Sequence, residues 1–445
     1  MSVDPALAAV PDNAPIAIAR QAIHDRWTRV VGYALLLRDA RGGGTAIEDE
    51  ERAATRVIVE TFTGIGVGTI AGEQPAHVRV PRRFLLELHP LALPSERVVL
   101  EVADPEPDDA ALRGVLERLA AQCYRISLVC DPRGPAPREL VRLAESVKLD
   151  VSGLTDEELH ACAERFGRVC GTLIATGVDT PALRQRCHVA GFDQFQGFFV
   201  STPDVVAGAA PPSGRVGELR ALAGLYAQST FEELEATIAR DVGLSYRLLA
   251  YLNSAYFNLP RRVASVREAL VLLGMQAVRR WATLIALSGA QDAPHELTVT
   301  ALVRARLCEL IGRELSPDVE PEACFTVGLF SVVDALAQAP LAQALETLPL
   351  TEEARVALLD RRGPMGDALA ATIAYERGEL DVVAQRLPGM PLGTLYLSAI
   401  AWADATSGVL RATTRSSAAT TSGANCVPEQ ERNSATASSE ERARR

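Results

Sequence analysis

Two stretches decide the fold of the second half of the chain: LLAYLNSAYF at residues 248–257 and VASVREALVLLG at residues 263–274. In the first stretch, leucines recur at helical spacing until an Asn-Ser pair interrupts them with turn residues. In the second stretch, Ser265 can cap a helix, Glu268 can complete a capping box, and Gly274 suits a C-terminal cap. A third apolar pattern follows directly. The sequence therefore predicts three short helices in close succession.

The order of these parts resembles the HDOD domain, a bacterial signalling module related to the HD phosphohydrolases but without their metal-binding residues. The Asn-Ser pair and the S-x-x-x-A-L-x-x-L-G run from Ser265 carry the resemblance. HD hydrolases place a His-Asp dyad in a helix, and the matching positions here hold Ser331 and Val332. Of the six histidines only His295 lies in the helical half, which excludes a multi-histidine metal site there. The candidate protein-contact residues of this module are Asn253, Ser254, Tyr256, Phe257, Arg280 and Trp281.

Composition limits the classes of function. A net charge of −11 over 445 residues argues against general binding to nucleic acid or to anionic membranes. No run is long and apolar enough for a transmembrane helix, and the N-terminus lacks the pattern of a signal peptide. The eight cysteines contain no C-x-x-C pair, which favours free thiols in a reducing cytoplasm. We therefore expect a cytoplasmic protein.

The chain is predicted to have two folded domains. Residues 15–206 form an α/β domain and residues 215–410 form a helical domain, joined by a Pro-rich linker at 207–214. Residues 1–14 and the Ser/Thr-rich tail 411–445 are predicted to be disordered, because neither has the apolar content of a core.

Strand-like segments alternate with amphipathic helices in the first domain. Helical patterns include 109–122 and 155–166, and the alternation predicts a parallel sheet, either a closed barrel or an open doubly wound sheet. The strand candidates are 16–20, 30–37, 77–80, 97–102, 124–130, 146–151 and 171–176.

This first domain resembles the EAL domain, a barrel-shaped module that hydrolyses cyclic di-GMP in bacteria, in the shortened form that is fused to HDOD domains. The opening IARQAIHDRWTRVVGYALLLR at residues 18–38 and the ending GFDQFQGFFVSTP at residues 191–203 carry the resemblance. The resemblance implies a TIM-like β/α barrel followed by the helical HDOD domain.

The resemblance also implies positions for the catalytic residues. Active EAL enzymes hold two divalent metals with carboxylates and an amide, and the metals activate a water. Several ligand positions carry other residues here: Ala34 for the name-giving glutamate, Arg79 for an asparagine, Val129 and Cys130 for paired aspartates, and Thr176 for a later glutamate. A one-residue slip would bring Asp131 into the second aspartate position. The retained residues are Glu101, Lys148, Asp150 and Gln196.

These substitutions lead us to expect no hydrolysis, no bound metal and no cofactor. One hypothesis is that the Arg79 guanidinium fills the metal position and pairs with Glu101 or Asp150, with Lys148 completing a neutral cluster. The alternative is that Arg79 is an ordinary surface residue. Retained nucleotide binding would use Arg20, Gln21 and Gln196, whose other interpretation is purely structural.

Three functions are compatible with this pattern. The leading prediction is a non-catalytic signalling or scaffold protein, not an enzyme, which acts through protein partners in cyclic di-GMP-related control of motility or attachment. The second is a cyclic di-GMP receptor without turnover, and the third is a residual cyclic di-GMP phosphodiesterase. The sequence names neither the protein partner nor the oligomeric state.

Overall fold

The computed structural model describes a large part of the chain, and the chain divides into two compact units. One unit comprises residues 1–223 and 290–405, and the other comprises 224–289 and 406–445. The predicted disordered N-terminus 1–14 and linker 207–214 lie outside the described residues, so both stay predictions. The described residues are 16–39, 66–87, 93–203 without 107, 230–240, short stretches between 245 and 283, 294–315, and 318–423 without 347 and 349.

Eight strands of the first unit close into a barrel in chain order. Strands β2 to β8 run parallel to one another, whereas β1 is antiparallel to both β2 and β8. The predicted barrel is therefore confirmed, with one antiparallel strand that the alternation of strands and helices did not indicate. The strands are β1 (Ile16–Asp25), β2 (Val30–Asp39), β3 (Ala76–Arg79), β4 (Val98–Ala103), β5 (Arg125–Cys130), β6 (Ser146–Asp150), β7 (Thr172–Thr176) and β8 (Gln194–Gln196).

Each strand segment predicted from the sequence coincides with one of β1 to β7. Buried strands of a parallel barrel read as short apolar runs, and β4 to β7 have that pattern. The closing strand β8 was missed because it has three residues and only one apolar side chain. Its place is fixed by Gly197, where a Cβ would overlap the backbone of Val178.

Helices follow most of the strands, and two of them begin at side-chain caps. Asp109 accepts a hydrogen bond from the Leu112 N–H at 2.9 Å, and Thr155 and Glu158 form a reciprocal capping box. Both caps start helices that the sequence predicted. The helices are α1 (Val67–Ala71), α2 (Arg82–Glu87), α3 (Ala110–Ala121), α4 (Arg138–Val141), α5 (Asp156–Gly167) and α6 (Pro181–Ala190), and a 3₁₀ turn (Phe199–Ser201) follows β8.

The helical part of the first unit lies after residue 290. The last of its helices continues to Gly423, which corrects the prediction that the tail is disordered from residue 411 onward. The segment 411–423 contains no proline, so nothing in it interrupts a helix already begun. The helices are α9 (His295–Glu314), α10 (Pro321–Phe330), α11 (Val333–Ala337), α12 (Leu341–Glu346), α13 (Glu352–Asp360), α14 (Gly363–Arg377), α15 (Leu380–Arg386) and α16 (Leu392–Gly423).

Two of these helices cover the open edge of β1. The strand pairs with β8 only at residues 23–25, so its earlier backbone groups lack a strand partner on that side. The Tyr375 hydroxyl accepts from the Ile18 N–H at 2.9 Å and donates to the Ile18 carbonyl at 3.2 Å. The Tyr396 hydroxyl accepts from the Arg20 N–H at 3.4 Å. The tyrosines thus satisfy an edge that would otherwise be free to pair with another chain.

The second unit contains the helices α7 (Phe231–Arg240) and α8 (Val266–Leu273). The predicted cap of α8 is confirmed, since Ser265 accepts from the Glu268 N–H at 3.1 Å. The Glu268 carboxylate accepts from the Ala264 N–H at 2.8 Å rather than from that of Ser265. Gly274 ends the helix with a φ of 83°, which glycine adopts without strain.

Asn253 has a clear structural role in this unit. Its side chain accepts from the Val263 N–H at 2.7 Å and donates to the carbonyls of Leu249 and Val263 at 2.8 Å. The amide therefore closes the segment between the first two predicted helices. The other candidate contact residues, Ser254, Tyr256, Phe257, Arg280 and Trp281, lie outside the described residues. No helix in the described part of the chain has the length and hydropathy to cross a membrane.

Candidate functional site

The position predicted for the name-giving glutamate lies inside the barrel. Ala34 on β2 is buried and packs with Ile23 of β1 and Ile174 of β7. These three side chains form a small apolar cluster on the inner face of the sheet. A methyl group at this position contributes packing and no ligand atom.

A line of polar side chains crosses the barrel interior and joins four of the predicted site residues. The Lys148 ammonium contacts the carboxylate of Glu101 and donates to the Gln196 carbonyl at 2.7 Å. Gln196 in turn donates to Gln21 at 2.7 Å. On the other side, His77 Nδ1 lies 3.3 Å from the Glu101 carboxylate. We call His77, Glu101, Lys148, Gln196 and Gln21 the inner cluster.

Burial and pairing oppose each other within the inner cluster. Burial alone would raise the pKa of Glu101, but the Lys148 ammonium and the His77 imidazole lower it to about 2. Burial lowers the pKa of Lys148, and the Glu101 carboxylate opposes that shift. Burial also lowers the pKa of His77, which favours a neutral imidazole. A carboxylate and an ammonium therefore neutralise each other inside the barrel.

The inner cluster does not fit the pair of divalent metals that the EAL resemblance implies. The ammonium of Lys148 already lies against the Glu101 oxygen that a cation would need. Among the described residues, no three His, Cys, Asp or Glu side chains are grouped so that they could hold a metal ion. Magnesium requires several oxygen ligands in near-octahedral geometry. The described residues of the barrel do not supply that set.

Arg79 does not take the place proposed for it. It ends β3 with an exposed side chain, and no hydrogen bond or ion pair joins it to Glu101 or Asp150. Glu101 is instead paired with Lys148 and His77. The hypothesis of a guanidinium in the metal position is therefore wrong, because the shorter lysine reaches Glu101 from inside the barrel.

The remaining predicted positions lie near the carboxyl ends of β5 to β7. Val129 is half-buried, and burial raises the pKa of the Cys130 thiol to about 12. Asp150 is exposed and accepts from the Ser152 N–H at 2.9 Å. The Thr176 hydroxyl donates to the Leu149 carbonyl at 3.3 Å. These side chains make local contacts, and only Asp150 presents a charge to solvent.

Arg20 and Gln21 are neighbours in sequence but belong to different clusters. Gln21 joins the inner cluster, whereas the Arg20 guanidinium forms a bidentate ion pair with Asp404 of α16 at 2.8 and 2.7 Å. Arg20 also donates to the Ile70 carbonyl at 2.7 Å, and its guanidinium lies 4.4 Å from the Tyr33 ring centroid. This arrangement follows from the alternation of side chains along a strand.

Tyr33 connects this pair to a second acidic side chain. Its hydroxyl donates to Glu296 of α9 at 3.0 Å. Burial raises the pKa of Glu296 to about 7, although Arg20 and Tyr33 oppose the shift. We call Arg20, Tyr33, Glu296 and Asp404 the outer cluster. Sequence analysis missed Glu296 and Asp404, since their partners lie more than 250 residues away along the chain.

The positions of the HD dyad are also occupied by structural contacts. The Ser331 hydroxyl donates to the Gly328 carbonyl at 2.7 Å and accepts from Arg304 at 3.4 Å. Arg304 forms a buried ion pair with Glu376 at 2.8 Å. Val332 is buried among apolar residues. A neutral ion pair thus lies beside the site where HD hydrolases carry their dyad.

Comparisons with known proteins show similarity to one domain family and to two full-length relatives. Residues 222–359 match the family model of the HDOD domain. The chain is 29% identical over 376 residues to the cyclic di-GMP phosphodiesterase CdgJ of Vibrio cholerae, covering 83% of this chain and 86% of CdgJ. It is 25% identical over 400 residues to the uncharacterized protein YuxH of Bacillus subtilis, covering 87% of this chain and 98% of YuxH.

Among solved structures, the calcium and cyclic di-GMP complex of Klebsiella pneumoniae BlrP1 aligns with a TM-score of 0.37 and 20% identity. That alignment covers 46% of this chain and 58% of BlrP1, so the chain spans less than two thirds of the BlrP1 structure.

The comparisons overturn one prediction. The expectation that the chain is not an enzyme was inferred from substituted ligand positions alone, and it is contradicted by the relative CdgJ, which is named a phosphodiesterase. The predicted HDOD domain, in contrast, is confirmed over residues 222–359. The chain is similar to the EAL–HDOD two-domain family, with an eight-stranded barrel followed by a helical part that contains the HDOD domain.

Proposed function

We propose that this chain acts in cyclic di-GMP signalling, with the barrel binding the nucleotide and the HDOD domain contacting protein partners. The observation that carries the proposal is the alignment with CdgJ, which covers 83% of the chain and so includes both domains. A relative that shares only the barrel or only the helical module would support one half of the proposal. The proposal also includes a cytoplasmic location, which is supported by the free thiols of the described cysteines.

The carboxyl end of the barrel is the proposed nucleotide-binding surface. Exposed aspartates occur at or just after the ends of four adjacent strands: Asp104 after β4, Asp131 after β5, Asp150 in β6 and Asp179 after β7. Arg79 ends the neighbouring strand β3. Barrels of this type place their binding residues at this end, where the loops after the strands meet.

The chemistry of this rim complements a guanine nucleotide. The guanine ring presents N–H groups that donate hydrogen bonds, and aspartate carboxylates accept them. The Arg79 guanidinium can donate to a phosphate oxygen, and charge strengthens that bond. A rim of carboxylates beside one guanidinium therefore matches the base and the phosphate of the same ligand. Gln21 and Gln196 lie deeper, where their amides already bond to each other and to Lys148.

Turnover of cyclic di-GMP is the second candidate function, favoured by the name of CdgJ. The described residues of the barrel contain no matching ligand set for the metal pair. The product assay must therefore be carried out both with magnesium and with a chelator. Linear dinucleotide formed in either condition would establish the activity.

The test of the proposal is calorimetric titration of the full chain with cyclic di-GMP, followed by analysis of the nucleotide. We expect saturable binding that is weakened about tenfold by Arg79→Gln, because one charge-assisted hydrogen bond is lost. Arg113→Gln is the matched control, since Arg113 is exposed on α3 and pairs only weakly with Glu117 at 3.8 Å. Absence of binding by the wild-type chain would falsify the proposal.

The HDOD half of the proposal rests on an exposed apolar pair. Val271 and Leu272 on α8 are 75% and 51% exposed, which is unusual for two adjacent aliphatic side chains. We expect a V271D/L272D double variant to lose protein partners captured from native cells while it retains cyclic di-GMP binding. Capture of the same partners by the double variant would show that they bind elsewhere.

A further inference from the structure

A cavity of about 60 Å³ lies between the outer face of β1 and the helices that cover it. His24 and Gln21 of β1 line it together with Phe198, which follows β8. Glu296 of α9 and Tyr396 of α16 line the opposite side. A cavity of this size exceeds the space of one water molecule several times. Phe198 connects the cavity to the carboxyl end of the barrel, because its N–H donates to Asp179 at 3.1 Å. Of these residues only Gln21 also belongs to the inner cluster.

His24 is the first sign that the cavity is built to hold a ligand. Its side chain is 1% exposed, and the backbone of Phe195, its strand partner, is the hydrogen-bonding group that acts on its pKa. Neither ring nitrogen has a described partner at full hydrogen-bond geometry. Buried polar groups in folded proteins nearly always have a partner, because an unpaired group costs about 1–3 kcal/mol. Burial lowers the pKa of His24 to about 4, so near neutral pH the imidazole is uncharged and offers one acceptor nitrogen.

The charges around the cavity leave one carboxylate without an equal counterion. Arg20 is paired with Asp404, and Glu376 with Arg304, so these four side chains sum to zero. Glu296 adds one negative charge when it is ionised. The Tyr33 hydroxyl, which is neutral, donates a hydrogen bond to this carboxylate. The lining therefore carries one net negative charge together with an acceptor nitrogen.

The rest of the lining is mixed. Ala22, Val299 and Val303 are apolar, and Ser201 and Thr300 carry hydroxyl groups. The Phe198 ring is already in contact with a cation, since the Arg377 guanidinium lies 5.2 Å from its centroid. Aromatic faces favour ammonium and guanidinium groups. The lining thus combines cation recognition with room for a short apolar stem.

We propose that this cavity binds a small organic cation, a primary ammonium or guanidinium group on a short apolar stem. The cationic group donates to Glu296 and His24, and the stem contacts the valines of α9. A bound cation therefore gives a hydrogen-bonding partner to the side chains of both Glu296 and His24. It makes the covering helices α9 and α16 respond to a second ligand.

The test uses n-propylammonium as the probe and neutral n-propanol as its isostere, at about pH 8, where Glu296 is ionised. We expect calorimetry to show saturable binding of the cation and at least tenfold weaker binding of n-propanol. Glu296→Gln is expected to weaken binding of the cation at least tenfold. Glu352→Gln, which makes the same change on an exposed residue of α13, is the control and is expected to leave binding unchanged.

A second measurement on the wild-type chain protects the test against misfolded variants. Imidazole resonances of the six histidines can be followed by nuclear magnetic resonance during the titration. We expect the His24 resonances to shift in proportion to saturation. Equal affinity for n-propanol, undiminished binding by a folded Glu296→Gln variant, or a His24 signal that does not move would each overturn the proposal.

Discussion

Two buried charged clusters lie on opposite faces of the same strand, and they differ in how their charges are balanced. The inner cluster pairs Lys148 with Glu101 inside the barrel, and both side chains are almost fully buried. The outer cluster pairs Arg20 with Asp404 and leaves Glu296 with a hydroxyl partner beside a cavity. The Lys148–Glu101 pair is neutral and fills the barrel interior. The Glu296 carboxylate, in contrast, lies beside free space and is suited to a ligand.

The two clusters also respond to pH with opposite sign. The pKa of Glu101 is lowered to about 2, so its contribution to stability is lost as pH falls below 4.5 toward 2. The pKa of Glu296 is raised to about 7, so its contribution is complete below 4.5 and is lost as pH rises toward 7. The difference between the two clusters can therefore be tested by mutation and by titration.

The largest effect is expected from Lys148→Met. The change leaves the Glu101 carboxylate buried without its ammonium, and we expect a loss of about 3–5 kcal/mol in the free energy of unfolding, measured with urea. Arg125→Gln is the control, because its pair with Glu145 is half exposed and is worth less than about 1 kcal/mol. A double variant that also carries Glu101→Gln should regain much of the loss. Failure to regain any of it would contradict the assigned pairing.

Arg20→Met is expected to have the next largest effect. It removes the bidentate pair with Asp404 and the bond to the Ile70 carbonyl, at a cost of about 2–3 kcal/mol in the free energy of unfolding. The loss is smaller than for Lys148 because Asp404 is 32% exposed and can be solvated. Arg20→Lys keeps the charge but not the fork of donors, so its stability should lie between the two. An Arg20→Met chain as stable as wild type would exclude this ion pair.

A smaller effect is expected from Tyr375→Phe. The variant keeps the ring but leaves the N–H and C=O of Ile18 without the hydroxyl, which costs about 1–2 kcal/mol. Hydrogen exchange of the Ile18 amide should also become faster, because the edge of β1 is then uncovered. Unchanged exchange at Ile18 would show that the hydroxyl does not protect the strand.

The last effect is the pH dependence of Glu296. We expect wild-type stability to fall by about 2–3 kcal/mol relative to Glu296→Gln as pH rises from 4.5 to about 7. The charged and titratable groups around this carboxyl are Arg20, Tyr33, Asp404 and Glu376. Thermal unfolding across this range measures the difference. Parallel curves for the two chains would mean that Glu296 titrates as it does in the unfolded chain.

Local patterns in the sequence were sufficient for most of the barrel. Apolar runs located β1 to β7, amphipathic patterns located the helices that begin near Asp109 and Thr155, and the cap at Ser265 located the start of α8. Such features depend on residues a few positions apart, where spacing alone carries the information. The three-residue β8 was too short to show a period.

The clusters were harder to predict because they depend on distant residues. Lys148 was predicted as a retained site residue, but its contact with Glu101 depends on where β4 and β6 place the two side chains. Arg20 was assigned to nucleotide binding, yet its partner Asp404 lies 384 residues away. The outward direction of Arg20 follows from strand alternation, and that signal was present in the sequence.

The central claim is that the barrel of this chain binds cyclic di-GMP. Its most direct test is calorimetric titration of the wild-type full chain with cyclic di-GMP in the presence of excess GTP. We predict one saturable binding event per chain that GTP does not abolish, because GTP is not cyclic and presents a single guanine. A flat titration, or binding fully displaced by GTP, would contradict the claim.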